Sequence, residues 1–81
     1  MWQVMARFYD DATTYEPTKL LGEVVLSNCP GSPGRSPREQ AEQYVKIFQE
    51  HGNYVSFEVK RTLGASRVEY IPREIVELHD D

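Results

Sequence analysis

The segment from Ser36 to Gly52 constrains the fold more than any other part of the chain, because it encodes a helix with both ends marked. Ser36 is a typical N-cap, Pro37 needs no amide partner at the first helical position, and Glu39 completes a capping box with Ser36. Gly52 is typical of a left-handed C-terminal stop. The apolar residues between them recur with helical spacing: Ala41, Tyr44, Val45, Ile47 and Phe48. The sequence therefore predicts a helix from Pro37 to His51 with one apolar face.

Alternating apolar and polar residues predict strands on both sides of this helix. Trp2 to Tyr9 alternates with a period of two, and Lys19 to Ser27 is rich in β-branched and aliphatic residues. These two segments are expected to pair antiparallel across a long loop. After the helix, Tyr54 to Arg61 alternates again, and Arg67 to Ile71 follows as its expected hairpin partner.

The C-terminal segment adds little regular structure to this prediction. Pro72 is expected to interrupt the last strand because proline has no amide donor, and Ile75 to Leu78 is a candidate for a short fifth strand. The predicted order is β-β-α-β-β in a single domain that spans residues 1-81. One apolar face on each element predicts an α+β two-layer sandwich, a mainly antiparallel sheet with one helix packed on one face.

The two faces of this predicted sheet differ in what they are expected to contact. The core face should be lined by ten residues: Trp2, Val4, Phe8, Val24, Leu26, Val55, Phe57, Val59, Val68 and Tyr70. The opposite, open face should carry Met5, Tyr9, Leu21, Val25 and Tyr54. That face is more apolar than a solvated surface requires, which makes it a candidate contact site.

Composition narrows the class of function. The chain has 81 residues, so its core is thin, and a partner or a dimer would add support. The net charge of -4 opposes non-specific attraction to nucleic acid or to an anionic membrane. The single cysteine cannot form an intramolecular disulfide, and the first residues do not have the pattern of a secretory signal, so a cytoplasmic location is expected. No apolar run approaches the roughly 20 residues that cross a bilayer.

The segment from Cys29 to Arg35 is the one candidate for catalytic chemistry. With the serine that follows, it matches the Cys-x5-Arg-Ser string with which tyrosine phosphatases hold phosphate. Pro30 and Pro33 remove two amide donors that such a loop needs. Asn28 stands where that family usually has a histidine, and the chain is too short for that family's parallel sheet. A phosphatase-like enzyme is therefore an alternative, and anion binding at this helix start is its simpler form.

Metal and nucleic-acid sites receive less support. His51 and His79 lie far apart and match no metal-ligand spacing, and no cofactor is implied. Four basic residues and one tyrosine near the predicted second hairpin resemble a small stacking platform for single-stranded nucleic acid: Lys60, Arg61, Arg67, Arg73 and Tyr54. Acidic residues alternate with them, so ion pairs on a solvated surface are the simpler explanation.

The function predicted from these features is a non-enzymatic protein-protein interaction module of the adaptor or inhibitor type. It is expected to bind another protein or a second copy of itself through the open sheet face and the loops, without a catalytic residue, a metal or a cofactor. Large aromatic and arginine side chains carry most interface energy. The candidate contact residues are Tyr9, Tyr15, Arg35, Arg38 and Tyr54. Two alternatives stay open: a phosphate-binding or cysteine phosphatase-like enzyme that uses Cys29 to Arg35, and a single-stranded nucleic-acid binder.

Overall fold

The computed structural model describes residues 1–11 and 18–76 and has an α+β fold, as predicted. The elements in chain order are β1 (Trp2–Asp10), β2 (Lys19–Cys29), α1 (Pro37–His51), α2 (Tyr54–Leu63) and β3 (Arg67–Glu74). The three strands form one antiparallel sheet in the order β2-β1-β3. β1 is therefore the central strand, and both other strands are edges.

The pairing of β1 with β2 confirms the predicted N-terminal antiparallel pair. Its register shifts between Val4 and Met5 and again between Phe8 and Tyr9, so β2 contributes one extra residue at each irregularity. Bulges of this kind bend and twist an edge strand. Cross-strand partners share a face, and the buried residues Val4, Ala6 and Phe8 of β1 all point to the helices.

The core lies where α1 crosses the sheet. Val4 and Cys29 pack there against Ala41 and Val45 of α1. Five partly buried apolar side chains surround this cluster: Trp2, Leu26, Tyr44, Phe48 and Tyr70. The predicted helix is confirmed over its full length. The Ser36 hydroxyl accepts a hydrogen bond from the Glu39 amide at 3.2 Å, and Gly52 ends the helix with φ of +73°.

The prediction of a strand from Tyr54 to Arg61 is wrong, because residues 54–63 form α2. The side chain of Asn53 caps this helix by accepting from the amides of Val55 and Ser56. The residues that turn toward the sheet include two polar ones: Ser56 is buried, and Val59 and Lys60 are half-buried. Because the side of α2 that faces the sheet includes polar residues, the apolar residues of this segment do not recur with helical spacing. They alternate with polar residues instead, and this alternation is the pattern that predicts a strand. The order is β-β-α-α-β, with two helices over the sheet in place of one.

β3 also differs from the prediction. It runs through Pro72 without a break and pairs with the central strand, where Pro72 is opposite Val4. An edge strand tolerates proline since one side of it needs no ladder hydrogen bonds. Ile75 follows the strand and donates its amide to the Met1 carbonyl at 2.8 Å without forming a further strand. The rest of the candidate fifth strand, residues 77–78, lies outside the described residues.

The two helices cover the sheet without packing along each other. α1 contacts all three strands, and α2 lies over the other part of the same face, where a Cβ on Gly22 of β2 would be 3.4 Å from Leu63 Cδ1. Tyr70 joins them, because its ring stacks on Phe48 of α1 with centroids 6.1 Å apart while its hydroxyl contacts Ser56 of α2. Within the described part of the chain, neither helix combines the length and the apolar composition needed to cross a membrane.

Candidate functional site: the outward face of α2

The open sheet face was the first candidate contact surface, and its apolar centre is small. Met5 lies there, as predicted, and its neighbours in the sheet are Val25 and Ile71. Met5 is nevertheless only 3% exposed. The apolar side chains that the open face offers to a partner are therefore mainly two separate residues, Val25 and, opposite Tyr9, Leu20.

Polar side chains on the open face bond to one another. Gln3 donates to Asn28 at 2.8 Å and accepts from Arg73 at 3.1 Å. Arg7 donates to Glu23 at 3.1 Å, and this ion pair raises the pKa of Arg7. Paired charges of this kind are typical of a solvated sheet surface. The open face thus has few unpaired groups with which to hold another molecule.

Tyr9, the first predicted contact residue, belongs to a polar corner between β1 and β3. The guanidinium of Arg67 lies over its ring at 4.5 Å from the centroid. Arg67 also donates to Asp11 at 2.8 Å, which lowers the pKa of Asp11 and raises that of Arg67. The Ser66 hydroxyl accepts from the Asp11 amide at 2.8 Å. The Tyr9 ring is therefore occupied by a contact within the chain.

The loop from Cys29 to Arg35 does not direct its amides at a common point. The amides of Ser32 and Arg35 each donate to the other residue's carbonyl, at 3.0 and 2.9 Å. The Gly31 amide donates to the Gln40 side chain at 3.0 Å. Pro30 and Pro33 have no amide hydrogen. Gly34, with φ of +81°, follows Pro33 as in a type II turn. Three of the backbone donors that an anion would need, the amides of Gly31, Ser32 and Arg35, are thus already bonded within the chain.

Cys29 itself is placed as a core residue. Its side chain is completely buried among Val4, Ala41 and Val45, and burial raises the pKa of its thiol. A nucleophilic cysteine requires the opposite, an accessible sulfur with a lowered pKa. The geometry of this loop therefore gives no support to the phosphatase-like alternative.

Arg35 and Arg38 lie at the start of α1 and are exposed. Arg35 bonds to Gln43, while Arg38 pairs with Glu42 at 3.1 Å and lies 5.9 Å from the centre of the Trp2 ring. A shallow depression of about 280 Å³ lies beside them on α1, lined by side chains of both signs: Arg35, Glu39, Glu42, Gln43 and Lys46. Tyr15 lies outside the described residues. The four predicted contact residues that the structure describes, Tyr9, Arg35, Arg38 and Tyr54, therefore do not form one site.

Tyr54 lies on a more apolar exposed surface, the outward face of α2. We define this face by Tyr54, Phe57, Glu58 and Arg61. Tyr54, Glu58 and Arg61 lie opposite buried Ser56, and Phe57 lies at the edge of the face, about 100° from Ser56 around the helix. Tyr54 is 77% and Phe57 62% exposed. The sequence prediction placed Tyr54 on the open sheet face and Phe57 in the core, and both positions were wrong. The signal that would have corrected them is the pair Asn53 and Gly64, an N-cap and a left-handed C-cap around ten residues.

A cavity of about 240 Å³ adjoins this face between α2 and β3. Phe57 forms one wall and Tyr70 another, and the buried Ser56 lies between them. Lys60 is the charged residue of the lining, which also includes Gly52, Asn53 and Val68. The outward face of α2 is thus continuous with a small cleft that has apolar walls.

Among the described aromatic residues, Tyr54 and Phe57 are the two exposed rings that have no aromatic or cationic partner. Phe8 is fully buried, and the five remaining rings have such contacts: Trp2 and Tyr9 with arginines, and Tyr44, Phe48 and Tyr70 with each other. The residues that the structure describes therefore leave two large aromatic surfaces without a partner, side by side on one helix.

Comparison with known proteins adds no relative. No protein-family model, curated protein or solved structure matches this chain. Within residues 1–11 and 18–76, no three His, Cys, Asp or Glu side chains are grouped so that they could hold a metal ion.

Proposed function

We propose that this chain is a protein-protein interaction module that binds its partner through the outward face of α2. The observation that carries the proposal is the exposure of Tyr54 and Phe57, one helical turn apart and without a partner in the described part of the chain. Tyrosine and phenylalanine are enriched at interfaces, and tyrosine is also enriched among the residues that dominate binding energy. A partner that covered these two rings would remove the largest exposed apolar side chains of α2 from water.

The core of this domain is small, and a bound partner would add to its stability. Buried apolar side chains are few among the described residues, and two of the seven are alanines. Phe8 is the largest of them. Small domains of this kind commonly gain stability from a bound partner. Adaptor or inhibitor action would suit such a module.

The sheet edges are poorer candidates for binding. β3 carries Pro72 and the charged residues Arg67, Glu69, Arg73 and Glu74, and β2 is interrupted by two register shifts. Proline, charge and bulges are the features by which natural edge strands avoid pairing with another strand. This leaves the outward face of α2 as the surface whose chemistry best fits a protein partner.

The test is photo-crosslinking of the full chain in its native cells with a benzophenone amino acid in place of Phe57. The matched control carries it in place of Ile47, an exposed apolar residue of α1. We expect an ultraviolet-dependent adduct from position 57 that position 47 does not give. The partner is then purified, and Phe57→Glu should weaken its binding about tenfold or more. Equal adducts from both positions, or none, would contradict the proposal.

A further inference from the structure

The outward face of α2 has a charge pattern that selects among protein partners. Glu58 and Arg61 carry opposite charges on this face and form an ion pair at 2.9 Å within the helix. Their side chains stay solvent-accessible, so the Arg61 guanidinium can contact a second molecule while it remains paired with Glu58. The face therefore offers an accessible cation and two aromatic rings that have no partner among the residues the structure describes.

When two copies of α2 are placed side by side and antiparallel, the groups on the outward face of one copy lie opposite groups on the other copy with which they can interact. A two-fold axis between positions 57 and 58 brings Arg61 of the second copy opposite Tyr54 and Glu58 of the second copy opposite Phe57, so that the two Phe57 rings lie beside the axis. An arginine over an aromatic face is a favourable contact. The chain already uses that contact twice, with Arg67 over Tyr9 and Arg38 over Trp2. An antiparallel pair of α2 helices would repeat it at both ends of a contact centred on phenylalanine.

We propose that the partner of this face is a second copy of the chain, in a symmetric homodimer with antiparallel α2 helices. This inference rests on the proposed function and specifies its partner. A ten-residue helix provides a contact smaller than that of a standard interface, so we expect a weak dimer that dissociates on dilution. The cleft beside Phe57 adds apolar surface at the rim of the contact.

Sedimentation equilibrium of the purified full chain from micromolar to about 1 mM concentration tests the dimer. We expect a mass that rises toward twice that of the chain. Phe57→Glu should raise the dissociation constant at least about tenfold, and Arg61→Ala about threefold. Ile47→Glu makes the same chemical change on α1 and should leave the constant unchanged. Circular dichroism should show that all three variants are folded, since each side chain is substantially exposed.

The orientation is tested by nuclear Overhauser effects in a mixture of isotope-labelled and unlabelled chains. Contacts between the Tyr54 ring and the Arg61 side chain of different copies would support the antiparallel arrangement, and a dimer that lacks them would overturn it. A strict monomer at 1 mM would also overturn the dimer. The crosslinking experiment separates the two proposals: an adduct of twice the chain mass supports the dimer, whereas a different adduct from position 57 retains the binding face and excludes self-association as its use.

Discussion

The hydroxyl of Tyr70 lies 3.1 Å from the hydroxyl of Ser56, and this contact fixes α2 to the sheet. Ser56 is 1% exposed and also donates to the Asn53 carbonyl at 2.9 Å. The Tyr70 ring stacks on Phe48, so one side chain of β3 contacts the end of α1 and the beginning of α2. Phe57 is the next residue along α2, about 100° farther around the helix, and it is 62% exposed.

Removal of this hydrogen bond should lower stability modestly. Tyr70→Phe is expected to reduce the free energy of unfolding by about 1 kcal/mol, because Ser56 keeps its bond to Asn53. Urea denaturation measures the change. Tyr44→Phe is the matched control, since the hydroxyl of Tyr44 has no hydrogen bond to another described side chain. A double-mutant cycle with Ser56→Ala should give a coupling energy near 1 kcal/mol, and a coupling near zero would show that the contact does not hold the helix.

Gly31 should not tolerate a side chain. Its φ is +92°, and an added Cβ would lie 3.0 Å from Cδ of Pro37. We expect Gly31→Ala to lower the free energy of unfolding by about 1 to 3 kcal/mol, because the left-handed backbone and the proline ring both oppose it. Gly22→Ala is the control, where the new Cβ would make an ordinary contact with Leu63. Equal thermal unfolding midpoints for the two variants would contradict this account of the loop.

The ion pair between Asp11 and Arg67 should make stability depend on pH in the acid range. Arg67 lowers the pKa of Asp11 below its ordinary value of 3.8. The stabilisation is therefore complete above pH 3.8 and is lost as the pH falls through the lower pKa of the folded state. Unfolding free energies of wild type and Asp11→Asn should differ at pH 6 and converge toward pH 2. Asp10→Asn is the control, and a constant difference for Asp11→Asn at every pH would refute the ion pair.

Cys29 should be protected from alkylation in the folded chain. It is fully buried and its pKa is raised, so both access and thiolate fraction are low. Iodoacetamide at pH 7.5 should label the native protein at least about a hundredfold more slowly than the chain unfolded in guanidinium, because reaction requires opening of the core. Fast labelling at pH 6 that phosphate blocks would instead revive the phosphatase-like alternative.

Local signals in the sequence were sufficient for α1 and for the first strand pair. Ser36, Pro37 and Glu39 specify a helix start through contacts within four residues, and the alternation from Trp2 to Tyr9 specifies which residues face the helices. The α2 segment was misassigned because its residues that face the sheet include polar Ser56 and Lys60, while Val55 and Phe57 are exposed. Ser56 is buried because Tyr70, 14 residues later, bonds to it.

The sequence by itself determined the α+β class, the bounds of α1 and the antiparallel pairing of β1 with β2, since capping residues and the spacing of apolar residues are local signals. The tertiary structure decided that β3 pairs with the central strand, that Cys29 is a core residue, and that Tyr54 and Phe57 lie on the exposed side of a helix. These outcomes depend on contacts between residues far apart in the chain. The candidate contact surface consequently moved from the open sheet face, whose polar groups pair with one another, to the outward face of α2.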